Sequence, residues 1–210
     1  MNTAPLSLAA VRRALGAHRA TILPVDRPHA AVAMLLVDGT MGAEVLFILR
    51  AAHHADPWSG DIGFPGGRVA AADGDPRVTA ERETREELAL DLGSGEFLGR
   101  LDDLCGLALP MLVSCFVYAF PARPALTPNH EVARAFWSPL NELHRAERHR
   151  MATFPWRGES TTQEVAEILG PGEPLLWGIT YRLLGNFFGI MRVPFGARRA
   201  EGACLRTDPR

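Results

Sequence analysis

No part of this chain constrains it more than TAERETREELALDL, residues 79–92. The stretch reads as a helix, and it crowds Glu81, Glu83, Glu86 and Glu87 into less than two turns. Glu83, Glu86 and Glu87 stand at i, i+3 and i+4, so they share one face, while Glu81 points elsewhere. Unit charges about 5 Å apart repel by roughly 3 kcal/mol at an effective dielectric of about 20. In open water the penalty falls to a few tenths of that unit, and the helix C-terminus close behind disfavours anions further. Two readings follow. One is a solvated acidic face, partly neutralised by Arg82 and Arg85. The other is a carboxylate nest for a hard divalent cation such as Mg²⁺, which takes oxygen ligands and turns the repulsion into attraction.

The flanking residues favour the second reading. GFPGGR, residues 63–68, lies just upstream. Adjacent glycines let backbone N–H groups approach an anion closely. A paired glycine alone is usually only a turn; the combination of a Gly-rich loop, a spacer and an acidic helix is more specific.

The rest of the chain supplies a core around this feature. It has 210 residues, 47% of them hydrophobic, enough for one sizeable core. HAAVAMLLV (29–37) and AEVLFILRA (43–51) are strand-like and separated by DGTMG, which predicts a hairpin. Residues 53–76 read as a long loop with a short strand near 62–64, and Asp75-Pro76 opens the acidic helix, expected to run to Leu90. Further strands are expected at 96–101, at 112–120 (LVSCFVYAF) and from 131 into a short helix at SPLNELHRA. Residues 146–177 read as irregular, with short strands at 149–154 and 174–177, before an apolar helix at 177–191. Strands outnumber helices, and the helices fall between groups of strands. The fold class is therefore α/β or α+β, a single domain with a mixed sheet. Residues 1–25 form an extension whose Leu8, Val11, Ala14 and Leu15 make an apolar stripe, the pattern of an ordinary helix rather than a transit peptide; residues 196–210 are expected to fray.

Composition excludes several functions. The net charge is −2, with no basic excess for binding nucleic acid. No apolar run approaches the ~18 residues of a membrane span. Cys105, Cys115 and Cys204 form no CxxC pair, which argues against a zinc site or a disulfide framework and points to a reducing, cytoplasmic setting. His53 and His54 lack a third partner at metal spacing. Trp58 is a candidate to stack on a base or to cap the core, Trp137, Trp177, Phe187 and Phe188 follow core patterns, and Ser114 sits in no nucleophile elbow.

With these residues in view, the sequence resembles a Nudix hydrolase. The family's box runs G, five residues, E, seven residues, then R-E-U-x-E-E-x-G-U, with U aliphatic. Arg82, Glu83, Glu86, Glu87 and Leu90 match it, Thr84 stands at the first U, Ala89 stands at the second glycine, and Gly74 stands where the family has an isolated glutamate. Asp73, its neighbour, is available to pair with Arg82. LFILRA, GFPGGR and WGITYRLL extend the likeness toward the coenzyme A pyrophosphatase-like branch, of whose upstream R-S-x-x-x-x-R signature only Arg50 is present.

The resemblance implies a Nudix-type α/β/α sandwich over residues 26–195. It also implies hydrolysis of a nucleoside diphosphate linked to a moiety X, with Glu83, Glu86 and Glu87 as ligands to Mg²⁺ or Mn²⁺. Arg82 would orient a ligand, and Glu131 is a second candidate for the general base, beside His130. Arg50, Gly66, Gly67 and Arg68 would bind phosphate. The expected partner is a small nucleotide, coenzyme A first among several; a homodimer is compatible, and nucleic acid and membrane are not expected. A non-catalytic nucleotide sensor is the rival reading.

Overall fold

The computed structural model describes residues 6–52, 59–106, 110–156 and 158–197. The readings of His53, His54, Trp58, Cys204 and the tail beyond 197 fall outside these residues. The helices are α1 (Leu8–Ala17), α2 (Pro76–Leu88), α3 (Leu140–Leu143) and α4 (Gly178–Ile190). The strands are β1 (His29–Gly39), β2 (Gly42–Arg50), β3 (Ile62–Gly63), β4 (Gly66–Arg68), β5 (Glu96–Arg100), β6 (Leu104–Cys105), β7 (Leu112–Phe120), β8 (Val132–Pro139), β9 (His149–Trp156) and β10 (Glu159–Ala166).

One mixed sheet carries the fold. β1 pairs antiparallel with β2 across the Gly39–Gly42 turn and parallel with β7 along its length; β5 flanks β7, and β8 flanks β2. Both faces are covered, which is why β1 and β7 read as nearly continuous apolar runs. Successive β1 residues feed two cores. Ala31, Ala33, Leu35 and Val37 pack with Ala80 and Leu88 of α2, whereas Met34 and Leu36 pack with Phe47, with α1 through Val11 and Leu15, and with α4 through Leu184, Phe187 and Phe188. The result is helix, sheet, helix, the sandwich that the family resemblance implies. The N-terminal extension belongs to it: Ser7 caps α1, accepting from Ala10 N–H at 3.3 Å, and Leu8, Val11 and Leu15 are buried.

Three expectations need correction. The strand expected near 149–154 is present as β9, but residues 159–166, read as irregular, form β10 and pair with it in an antiparallel hairpin, with Phe154 opposite Thr161 and Trp156 opposite Glu159; the expected strand at 174–177 is reduced to a bridge between Leu176 and Ala166. The sequence ESTTQEVA hides its strand because that strand lies largely in solvent and its outer residues need not be apolar. The predicted helix after β8 shrinks to four residues, Leu140–Leu143. No described helix is long and apolar enough to cross a membrane.

Candidate active site

The site begins with a splay. β1 and β2 pair only near their turn, from Leu36–Val45 to Gly39–Gly42. Beyond that they diverge, and residues 61–68 fill the gap. β3 pairs with Ile48 and Leu49 of β2, while β4 pairs with Ala30, Ala31 and Val32 of β1. Arg50 N–H donates to the Asp61 carbonyl at 3.0 Å, and Ala33 N–H donates to the Pro65 carbonyl at 2.9 Å. The stretch read as a glycine-rich loop is thus a two-strand wedge.

The paired glycines are what the wedge and the helix above it require. A Cβ on Gly66 would stand 2.3 Å from the Ala31 carbonyl oxygen, and one on Gly67 would stand 2.3 Å from the Glu83 carboxyl carbon. Only bare backbone admits both the neighbouring strand and a carboxylate laid across it. The anion that receives a wedge N–H is one of the chain's own: Gly66 N–H donates to Glu87 Oε2 at 2.9 Å.

α2 is built to hold its carboxylates there. Asp75 caps it, accepting from Arg77 N–H at 2.7 Å, and Pro76 takes the first helical position. Thr79, Ala80, Thr84, Glu87 and Leu88 are its buried residues, so Glu87 lies on the side that packs against the sheet. Its carboxyl is pushed up to about 7, first by burial and then by the charges of Glu83 and Glu131; Gly66 N–H and Arg50 act against the rise. The Arg50 guanidinium is 3.6 Å away, too far for a strong hydrogen bond. Glu83 is raised in the same direction by burial, opposed by Arg82, with Glu86 and Glu131 adding to the rise.

Arg82 braces the other flank. It reaches Asp73 with two nitrogens, at 3.1 and 3.0 Å, while its third reaches Glu83 at 2.9 Å and Glu86 at 3.1 Å. Asp73 also accepts from the Thr79 hydroxyl at 2.7 Å, and these partners hold its carboxyl down at about 2. Asp73, not Gly74, therefore supplies the carboxylate that pairs with Arg82. Ala89 ends the helix at φ 53°, a left-handed conformation that explains the glycine in the family pattern.

Most of the expected site residues come together. Glu131, exposed in the turn just before β8, is near enough that its charge raises both Glu83 and Glu87. Its carbonyl accepts from Ala51 N–H at 2.8 Å, just beyond Arg50. Arg68 closes β4 in an exposed position. Glu81 turns away, as expected, to accept from the Tyr118 hydroxyl at 2.7 Å. Two residues escaped the sequence reading: Thr127 and Asn129, whose N–H groups donate to the Leu88 and Glu87 carbonyls at 2.8 Å and close the end of α2. A non-local contact of this kind leaves no periodic signal.

A NUDIX domain profile matches residues 27–157. The chain belongs to the Nudix family. Among curated Nudix relatives, the Homo sapiens mitochondrial coenzyme A diphosphatase NUDT8 is 30% identical over 157 residues, 73% of this chain and 66% of that protein. Nudix hydrolase 22, chloroplastic, of Arabidopsis thaliana is 27% identical over 165 residues, 74% of this chain and 52% of that one. This chain thus spans about half to two thirds of the length of those relatives. The MutT/nudix family protein of Enterococcus faecalis superposes with a TM-score of 0.54 at 17% identity, covering 87% of this chain and 68% of that one, which bears on the fold alone.

Nudix hydrolases generally depend on divalent metal, so the site's fitness for an ion matters. As the side chains stand, no three acidic, imidazole or thiol groups among the described residues are gathered closely enough to hold one. The donors nevertheless fit in kind. Glu83, Glu86 and Glu87 offer only hard oxygens, Gly67 leaves room for the Glu83 carboxyl, and Glu87 is 98% buried with one backbone N–H and a distant guanidinium for company.

Proposed function

We propose that this Nudix protein is a divalent-metal-dependent pyrophosphohydrolase acting on a nucleoside diphosphate linked to a moiety X. The observation that carries this reading is the crowding of Glu83 and Glu87 over a glycine wedge that has no room for other side chains, with Arg82 holding Glu83 and Glu86 from the far side. Glu83, Glu86 and Glu87 would hold Mg²⁺ or Mn²⁺. A bound cation of this kind screens the charge of a diphosphate and acidifies the attacking water. The water's oxygen forms a bond to one phosphorus, the bridging P–O bond breaks, and the bridging oxygen leaves with the other phosphate. The water's proton would pass to a carboxylate, Glu131 or one of the trio.

Arg82 is a positioning residue, since its contacts are with Asp73, Glu83 and Glu86. Arg50 and Arg68, at the ends of β2 and β4, are proposed to grip phosphate, with Gly66 and Gly67 shaping the floor. Coenzyme A is the first substrate of choice, cleaved to 3′,5′-ADP and 4′-phosphopantetheine. The 30% identity to a protein named a coenzyme A diphosphatase supports that choice. The proposed setting is the cytoplasm, a reducing compartment that suits the free thiols Cys105 and Cys115. A homodimer is proposed as the form to test by mass in solution.

The test is incubation with Mg²⁺ or Mn²⁺ and a panel of coenzyme A, ADP-ribose and dinucleoside polyphosphates, with chromatography of the products. Release of a nucleoside phosphate, lost in Glu86→Gln and Glu87→Gln variants that keep their circular dichroism, supports hydrolysis. Binding without turnover under both metals replaces it with the sensor.

A further inference from the structure

The end of α2 is met by the connection from β7 to β8, and one residue of that connection bonds in two directions. A helix leaves its last carbonyls without partners, and here Thr127 N–H and Asn129 N–H supply two, donating to the Leu88 and Glu87 carbonyls at 2.8 Å. The Asn129 side chain then turns the chain. Its Oδ1 accepts from Glu131 N–H at 2.8 Å, and its main-chain carbonyl accepts from Val132 N–H at 3.3 Å. Asparagine suits such a turn because its side-chain amide stands in for a backbone one. The backbone bonds at this position are open to any residue with an N–H; only the Oδ1 bond asks for this side chain.

These bonds belong to a closed ring. Glu131 N–H is held by Asn129, and the Glu131 carbonyl accepts from Ala51 N–H at 2.8 Å. Ala51 follows Arg50, whose guanidinium stands 3.6 Å from the Glu87 carboxylate, and the Glu87 carbonyl accepts from Asn129 N–H. The circuit runs from Glu87 through Arg50, Ala51, Glu131 and Asn129 back to Glu87. It fixes the Glu131 backbone by both its N–H and its carbonyl, between the end of β2 and the end of α2. The Val132 bond alone would turn the chain into β8. The Oδ1 bond adds a constraint on Glu131 itself, whose exposed carboxylate is felt at both Glu83 and Glu87.

We infer that Asn129 is a positioning residue, which through Oδ1 holds Glu131 against the end of α2 and so brings a carboxylate from outside that helix to the proposed site. This inference deepens the hydrolase reading above and rests on it. Asn129 touches no reacting atom in this scheme; it acts through Glu131.

Amide exchange, followed by NMR in the metal-free protein, tests the geometry without turnover. Glu131 N–H should exchange slowly in the wild type, and Asn129→Ala should remove that protection while the amides of α2 keep theirs. Asn129→Asp keeps Oδ1 and should keep the protection. Kinetics with Mg²⁺ and a nucleotide that the wild type cleaves test the role. Asn129→Ala should lower kcat roughly ten- to a hundredfold, the scale for a small misplacement of a reacting group, and leave KM unchanged. Asn129→Asp should restore most of the rate. In a Glu131→Gln background, Asn129→Ala should cost almost nothing further, because the group it positions is already disabled. An unprotected Glu131 N–H in the wild type overturns the inference. So does wild-type kcat in Asn129→Ala, or a loss that is just as large without the Glu131 carboxylate. If the exchange pattern holds but no nucleotide is cleaved under Mg²⁺ or Mn²⁺, Asn129 still positions Glu131 and the hydrolase reading falls.

Discussion

The two ends of α2 are built on opposite terms. At the N-terminal end every charge has a close partner: Asp75 caps the helix, and Asp73 binds Arg82 through two nitrogens while accepting from Thr79. At the C-terminal end Glu87 is buried against one N–H and a guanidinium at 3.6 Å, Glu83 is raised by burial, and Ala89 holds a left-handed conformation. A helix needs none of the second set for its own stability. The first end makes the second tolerable, and the difference is what the proposed site at the C-terminal half would use.

The largest effect should come from separating function from stability at that end. Glu87→Gln keeps the shape and an acceptor for Gly66 N–H but removes the buried charge. Activity should fall at least about a hundredfold, the scale on which a pre-positioned charge-stabilising group is lost. Melting temperature at pH 8 should hold or rise, because a charge resisted by burial has gone. A variant that keeps its activity, or melts far below the wild type, would erase the contrast between the two ends.

Next in size is Asp73→Asn, which breaks the well-partnered end. Arg82 would lose its anchor and hold Glu83 and Glu86 less firmly, so activity should fall roughly tenfold, in the range of an outer partner of a ligand. Stability should fall in a pH-dependent way. The Asp73 carboxyl is held at about 2 against an ordinary 3.8, so its contribution is complete above pH 4 and disappears as pH drops through about 2. The melting difference between wild type and Asp73→Asn should shrink across that window.

How much of this was legible beforehand follows physical lines. Pro76 and Asp75 announced the start of α2, and the burial of all nine residues of β7 made LVSCFVYAF unmistakable. The carboxylate trio and Arg82 were visible by spacing, and Asp73 by its place beside Gly74. β3 was expected as a short strand near 62–64, but β4 was not, nor was the place of either in the sheet, since two and three residues carry no periodicity and exist only because β1 and β2 part. Nor did spacing tell that Glu87 would turn inward and Glu86 outward. That choice is made by Gly66, twenty-one positions away.

A smaller effect should appear in how an ion stabilises the protein. Glu87 titrates at about 7 when folded, against 4.5 ordinarily. Between those values the folded state binds the extra proton, so stability declines as pH rises and the deficit is complete above about 7. A cation needs the charged form and relieves that deficit. Saturating Mg²⁺ should therefore raise the melting temperature more at pH 8 than at pH 5.5, and Glu87→Gln should abolish the difference. An equal rise at both pH values would place the ion away from Glu87.

The smallest change isolates backbone from chemistry at the same helix end. Ala89 sits at φ 53°, ψ 29°, where a Cβ costs an ordinary residue roughly 1 kcal/mol and glycine nothing. Its N–H still donates to the Arg85 carbonyl, so the cap itself is intact. Ala89→Gly should thus raise stability by somewhat less than that figure, since glycine also loosens the unfolded chain. Activity should not move, because Ala89 holds no carboxylate. Should the variant instead lose stability, Ala89 would be gaining from its methyl group more than its backbone loses. Should it change kcat, the strain at this end would act on the carboxylates one turn earlier, and the two halves of α2 would differ in mechanics as well as in charge.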